Sequence, residues 1–445
     1  MAGLFGTNGV RGKFDFLTPE LSMKIAKAIG VYFKRGRMVV ARDGRLTGET
    51  LKNAINAGLM SVGCEVIDLD YCSAPTAEFM LKKLKADGLI IITASHNPPE
   101  WNAMKVVDGS GVAISKERGM KIESLLGKTV NVPWNKIGRC NRVTNAHDLH
   151  IEEIKKLVDV KKIKNKKLKL VLDCGNGMAG LIAPKLFEEL GCKIILVNST
   201  VDGRFPGRPS EPTESNVQEL IKTVKNKKAD AGIAWDGDGD RVIMIDESGD
   251  YLIGDKVFAI STILRLKKKK GLVVTTVATS KAIEDIAAGF GCKTEYTKIG
   301  APYLSERVLE KNATIGGEEV GGVIWPEMSL AKDGFLTAAK ITEALTEKSL
   351  GTWTKEIPIY YNQKTKIAVT SEQKNKVISG VMEFAEKNKL NVKKIDGIRI
   401  DFDYGWVIVR ASGTENYIRI FAETKEKKNA KELIAQYEKI VTEII

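Results

Sequence analysis

Histidine is scarce in this sequence: there are three in 445 residues, at positions 96, 147 and 150. That count excludes chemistry built on several imidazoles. The six cysteines, at 64, 72, 140, 174, 192 and 292, form no Cys-x-x-Cys pair and have no histidine beside them. Neither a zinc site nor a disulfide framework is expected. Long apolar runs are also missing. The stretch 89–92 typifies the longest, far short of the roughly 20 residues a membrane helix requires. The first residues lack a basic start followed by an apolar core, so no signal peptide is read there and a cytosolic protein is expected.

What is present is ordinary for a globular protein: 43% hydrophobic and 28% charged residues. The formal charge is +13, which raises nucleic-acid binding as a class. The excess, however, lies in short lysine runs (161–162, 166–167, 267–270) without the interleaved aromatics of a base-stacking platform. A solvated basic surface that gathers anionic metabolites is the expectation instead.

At this length the chain exceeds one hydrophobic core, and it carries an internal repeat. Three segments begin with an apolar strand (38–41, 168–172, 272–275) and continue into a helix with an i, i+3, i+4 stripe. Each helix closes on Gly-Cys (63–64, 191–192, 291–292). The glycine suits the left-handed position past a helix end, and the cysteine is read as a small buried residue. Thr50 and Ser280 are the expected N-caps of two of these helices. A second apolar strand in each segment (89–93, 231–234, 314–315) ends in a polar loop: Ser95-His96-Asn97, residues 236–241, and Glu318-Glu319. Open α/β sheets place ligands beyond the carboxyl ends of their strands. The expected fold is therefore α/β: three related domains with mixed sheets, plus a smaller C-terminal α+β domain, around a central cleft. The boundaries are read as 1–150, 151–254, 255–365 and 366–445.

Four loops carry chemistry. Asp236-Gly237-Asp238-Gly239-Asp240-Arg241 sets three carboxylates on alternate residues, which converge as oxygen ligands for a hard divalent cation. A calcium-binding EF-hand loop is excluded, because Arg241 stands where glycine is needed and residues 242–245 form an apolar strand. Thr93-Ala94-Ser95-His96-Asn97-Pro98-Pro99 follows a buried strand but lacks the flanks of a serine-hydrolase elbow. Beside a metal site, Ser95 reads as a nucleophile that accepts phosphate. Arg410-Ala411-Ser412-Gly413-Thr414-Glu415-Asn416, with Arg419 beyond, has the groups of a phosphate cradle. Gly317-Glu318-Glu319-Val320-Gly321-Gly322 surrounds paired carboxylates that suit sugar hydroxyls.

Together with Phe5-Gly6-Thr7-Asn8-Gly9-Val10-Arg11-Gly12, these loops resemble, in order and over essentially the whole chain, the α-D-phosphohexomutase superfamily. That superfamily includes phosphoglucomutases, phosphomannomutases and phosphoglucosamine mutases. The resemblance implies an isomerase that interconverts hexose 1- and 6-phosphates through phospho-Ser95 and a hexose 1,6-bisphosphate, which also serves as activator. It implies Mg²⁺ held by Ser95, Asp236, Asp238 and Asp240, and Lys105 as general acid/base. Arg11, His96 and Arg241 would lie near the transferring phosphoryl group. Glu318 and Val320 would face the sugar, while Arg410, Ser412, Gly413, Thr414 and Arg419 would hold the non-reacting phosphate. Two departures stand out. Ala103 occupies the usual glycine position of Asn-Gly-x-Lys, where its methyl is expected to tighten a turn before Lys105. Val320 stands where many members have Ser or Asn, which bears on sugar choice. The Gly-Gly-Glu-Glu-x-Gly-Gly form points to archaeal-type enzymes of glucose and mannose phosphates, with glucosamine phosphate as the competing substrate. A metal-dependent phosphatase, a non-catalytic sugar-phosphate binder and a nucleic-acid binder are the alternatives. Oligomeric state is left open.

Overall fold

The computed structural model describes residues 3–6, 9–412 and 416–445. Its first three sheets share one plan. A central strand (Arg37–Arg42, Lys169–Asp173 or Val273–Thr276) is flanked on both sides by parallel strands. On one side these are Glu65–Tyr71, Lys193–Val197 and Thr294–Thr297; on the other they are Gly88–Ile92, Ala231–Trp235 and Ile315–Gly317. An antiparallel strand then turns back along the latter: Trp101–Asp108, Val242–Ile245 and Val323–Ile324. The mixed sheets and the repeat are as expected. In each domain the reactive loop occupies the reversal between the last two strands, so it emerges from the carboxyl end of a buried strand.

The helices close as the sequence requires. Gly63, Gly191 and Gly291 all have positive φ (94°, 83° and 70°), where a side chain would be strained. Cys64 and Cys192 are buried, but Cys292 is partly exposed, contrary to expectation. The N-cap expectations also shift. Thr50 lies inside the helix Gly48–Ser61, whose N-cap is Thr47. Ser280 precedes the cap Lys281 of Ala282–Gly289, although its hydroxyl does accept from Ala282 N at 3.2 Å.

One apolar cluster runs from Val39 in the first sheet through Trp235 in the second to Phe335 and Trp353 on helices of the third domain. The first three domains therefore share a continuous core, which holds their loops in fixed relation. The fourth domain is a five-stranded antiparallel sheet, Tyr361–Ala368, Tyr417–Thr424, Gly405–Ala411, Ile398–Phe402 and Asn391–Lys393 in spatial order. Helices Ser371–Lys387 and Lys427–Ile444 pack on it around a separate core. A small cluster of Val277, Trp406 and Ile408 joins it to the third domain. Arg399 strengthens that junction, lying between the Tyr296 and Trp406 rings and donating to Val277 O at 2.7 Å. Among the described residues no helix is long and apolar enough to cross a membrane.

Candidate active site

The acidic loop is shaped by its glycines. A Cβ at Gly237 would sit 2.6 Å from the Ser95 carbonyl oxygen, and one at Gly239 (φ 81°) would strike the Phe335 ring. Only glycine at both positions lets the backbone turn between alternate aspartates while it presses on the serine loop. The loop is further fixed by two helix starts. Met178 N donates to Gly237 O, and Ala74 N donates to Asp238 O, each at 3.0 Å.

Asp236, Asp238 and Asp240 are all buried, and their carboxylate oxygens approach one another within 4.8 Å. Asp236 is the most committed: Oδ2 accepts from Ser95 Oγ at 2.6 Å, and Oδ1 accepts from the amides of Gly239 and Arg241. Burial and then its two aspartate neighbours push its pKa up. Asp238 Oδ1 and Asp240 Oδ1 are buried and lack any hydrogen-bond donor among the described residues. Orphaned anionic oxygens are costly. Three converging hard-oxygen ligands with two unsatisfied atoms fit a divalent cation, as the alternate-aspartate spacing anticipated.

Ser95 sits in the left-handed region (φ 50°) and is 3% exposed. Its amide donates to Thr93 Oγ1 at 2.9 Å, and the His96 ring lies 3.4 Å from its hydroxyl. Burial, with the Arg241 and Arg11 guanidiniums alongside, pushes the His96 imidazole down to about 2. The ring is therefore neutral at physiological pH and offers hydrogen bonding rather than a ready proton. Arg11 donates to Asn97 Oδ1 at 2.5 Å, which ties the first strand, Val10–Lys13, to the serine loop.

Lys105 reaches Asp238 Oδ2 at 2.8 Å and Asp240 at 3.8 Å. Burial alone would lower its pKa, but the two aspartates outweigh that and hold it above the ordinary value. The expected tight turn before it is absent. Asn102, Ala103 and Met104 belong to the regular strand Trp101–Asp108, where Ala103 pairs with Arg11. A buried methyl on a strand needs no special backbone, so Ala103 does not disturb Lys105.

Glu318 accepts from Lys332 Nζ at 2.7 Å, and the same ammonium lies 3.2 Å from Asp240. Lys332 thus joins the metal-type loop to the Glu318 loop, helped by a bond from Val242 N to Gly321 O at 3.1 Å. Val320 lies partly exposed in that loop. Replacing Lys332 with methionine would leave the buried Glu318 carboxylate without its cation and Asp240 with only the more distant Lys105 and Arg241. The expected cost is roughly 3 kcal/mol, read as a lower urea midpoint; an unchanged midpoint would mean that the bridge does not form in solution.

One cleft is lined by Arg11, Ser95, His96, Lys105, Asp240, Arg241 and Lys332. It therefore unites the expected serine, its basic neighbours and the acidic loop. Of the residues expected around the second phosphate, Arg410, Ser412 and Arg419 stand apart, in the fourth domain, and do not line that cleft. Arg410 and Arg419 are direct cross-strand partners, and Arg410 pairs with Asp396 at 3.0 Å. Two guanidiniums side by side repel unless an anion lies between or beside them. Ser412 is buried on the same strand connection. Gly413 and Thr414 lie outside the described residues.

Sequence reasoning missed Lys332 and Arg45. Arg45 is fully buried and paired with Asp43 at 3.0 Å. It donates to the carbonyls of Ser95, Asn97, Pro98 and Trp101 at 2.5 to 2.9 Å, so that the whole serine loop is folded around one guanidinium. Its signal was available: Asp43-Gly44-Arg45 also follows the carboxyl end of a strand.

Four family profiles match in succession, each described as phosphoglucomutase/phosphomannomutase. They are alpha/beta/alpha domain I over 2–131, domain II over 148–249, domain III over 253–361 and the C-terminal domain over 365–440. The chain is 43% identical to a phosphoglucomutase/phosphomannomutase of Thermococcus kodakarensis, over the full length of both. It is 36% identical to a phosphoglucosamine mutase of Methanocaldococcus jannaschii, covering 100% of this chain and 99% of the relative. Among solved structures, a phosphoglucomutase/phosphomannomutase family protein of Burkholderia thailandensis has the same fold, with TM-score 0.89 at 24% identity. That match covers 99% of this chain and 97% of the other.

Proposed function

This chain belongs to the phosphoglucomutase/phosphomannomutase family, and on that premise we propose that it moves a phosphoryl group between the 1- and 6-hydroxyls of a hexose by way of Ser95. It is a hexose-phosphate mutase, an isomerase. The observation that carries the serine assignment is its setting: a buried hydroxyl 2.6 Å from Asp236, inside the aspartate cluster and beside Arg11 and Arg241.

In this reading phospho-Ser95 donates its phosphoryl group to the free hydroxyl of a bound hexose phosphate. The resulting hexose 1,6-bisphosphate turns over in the cleft and returns its other phosphoryl group to Ser95. Arg11 and Arg241 hold the phosphoryl oxygens by charge-assisted hydrogen bonds. His96, being neutral, orients rather than protonates. Lys105, kept as an ammonium by Asp238 and Asp240, acts as general acid/base: it gives a proton to the leaving oxygen and recovers the one that the attacking hydroxyl releases. Asp236, Asp238, Asp240 and the phosphorylated serine would hold Mg²⁺, which supplies charge neutralisation to the transferring group. Glu318, oriented by Lys332, takes sugar hydroxyls, with Val320 packing alongside. Arg410, Ser412, Gly413, Thr414 and Arg419 grip the distal phosphate when the fourth domain meets the ligand.

Glucose and mannose phosphates are the proposed substrates, supported by the likeness to the Thermococcus kodakarensis enzyme. Glucosamine phosphate is the second reading, favoured by the Methanocaldococcus jannaschii relative. The test is a coupled mutase assay with Mg²⁺ and a trace of hexose 1,6-bisphosphate on all three sugars in parallel. Turnover that is lost in chelator and restored by Mg²⁺ is expected, fastest with glucose or mannose phosphate. Release of inorganic phosphate as the main product would instead identify a phosphatase. Absence of turnover on all three sugars from Ser95-phosphorylated protein would overturn the proposal.

A further inference from the structure

The acidic side chains in and around the cleft are each bonded to a neighbour, with one exception. Asp236 holds Ser95, Asp238 holds Lys105, Asp240 and Glu318 share Lys332, and Glu319 accepts from Thr276 at 3.1 Å. Glu78 is different. It projects from the helix Ala74–Leu84 into the same cleft, alongside Ser95, Lys105, Asp240 and Lys332. No hydrogen bond or ion pair engages its carboxyl among the described residues, and it is not part of the aspartate cluster. It also lines the adjoining cavity with Ser110, Asn312 and Ser329, and so stands where the cleft opens between the first and third domains.

Its position is nonetheless fixed. The helix start is bonded to the acidic loop through Ala74 N and Asp238 O at 3.0 Å. Half a turn on, Thr76 Oγ1 lies 3.0 Å from the buried His150, whose other ring nitrogen lies 3.0 Å from Asp333 Oδ2 in the third domain. Glu78 follows two residues later on a helix clamped from both sides. Burial in the cleft pushes its carboxyl up to about 8, with Lys105 partly opposing the shift. A rigidly held carboxyl left without a protein partner, in a cleft built for a polyhydroxylated ligand, is a vacant hydrogen-bonding position.

We propose that Glu78 is a sugar-contacting residue that hydrogen-bonds a hexose hydroxyl of the bound hexose phosphate. The inference rests on the cleft being the sugar-phosphate site of the mutase. A site that hydrogen-bonds a substrate hydroxyl discriminates strongly by that contact, because the group is left unpaired when the hydroxyl is missing or displaced. Glu78 thereby bears on which hexose is preferred, a choice that Val320 cannot make by hydrogen bonding.

The test is binding measured by calorimetry in the Ser95→Ala background, where transfer is blocked. Glucose 6-phosphate and inorganic phosphate serve as the two probes. Adding Glu78→Ala is expected to weaken glucose 6-phosphate about tenfold, the equivalent of about 1.4 kcal/mol, and to leave inorganic phosphate unweakened. Glu78→Gln, which keeps both a donor and an acceptor, is expected to stay within about threefold of the parent. Should the alanine variant fail to fold, Glu78→Asp, too short to reach the same hydroxyl, replaces it in the comparison and is expected to show the same selective loss. Unchanged or tighter binding of glucose 6-phosphate, or equal losses for both probes, would overturn the inference. Failure of the mutase reading would show separately, as a wild-type protein without turnover in which the binding difference still stands.

Discussion

Ser95→Ala is expected to lower kcat/KM by on the order of 10⁴-fold or more and to abolish labelling of the protein by hexose 1,6-bisphosphate. The nucleophile has no understudy. Thr93, the nearest hydroxyl in the same loop, is buried and spans Asp43 and Asp238 at 2.7 and 3.1 Å. Its oxygen also accepts from Ser95 N, so it cannot turn to a substrate without breaking the loop. Stability should fall by about 1–3 kcal/mol, because the two backbone amides stay on Asp236 Oδ1 while the buried Oδ2 loses the Ser95 hydroxyl. A quench assay for the phosphoprotein, together with steady-state kinetics, checks both parts. Residual turnover above about one per cent of wild type would mean that the phosphoryl group does not pass through Ser95.

Arg45→Met is expected to have the largest effect on folding of any single change near the site. The guanidinium satisfies four backbone carbonyls, of which that of Ser95 is buried, and the Asp43 carboxylate, and its charged end also faces the Phe205 ring at 5.1 Å. Methionine fills part of the volume but leaves a buried carboxylate unpaired, at roughly 3–5 kcal/mol, in addition to the orphaned carbonyls. Ser210 Oγ, at 3.3 Å from Ser95 O and 3.2 Å from Asn97 O, can hold only two of the four. Thermal or urea unfolding of the variant should begin well below that of wild type, and whatever remains folded should lose serine phosphorylation. Arg45→Lys should recover part of the stability, through Asp43, but not the loop, since an ammonium cannot span four carbonyls. Equal behaviour of the two variants would show that charge, not the guanidinium fork, is what the loop needs.

The fold was largely legible before the structure. Three helices ending in Gly-Cys and three apolar strands running into polar loops are local patterns, and each maps onto the common sheet plan. The alternate aspartates were legible too, since Asp-Gly-Asp-Gly-Asp can do little else than converge. Smaller features were misread where neighbours decide. Thr50 falls inside a helix that starts two residues earlier. Ala103 lies on a strand rather than a turn, because the edge strand Val10–Lys13 pairs with it from about ninety residues away. Cys292 keeps some exposure, unlike Cys64 and Cys192.

By itself, then, the sequence determined the repeated α/β plan, the serine and aspartate loops, and the kind of chemistry they support. These follow from periodicity and from residue types only a few positions apart, which the chain enforces wherever it folds. The partner of each charge was decided only in three dimensions. Lys105 meets Asp238 across 133 positions, His150 meets Asp333 across 183, and Arg45 gathers a loop 50 residues downstream. Such contacts depend on how three sheets share one core, and no local pattern encodes that. The same packing left Glu78 facing the cleft without a partner, while the separate core of the fourth domain left Arg410 and Arg419 outside it.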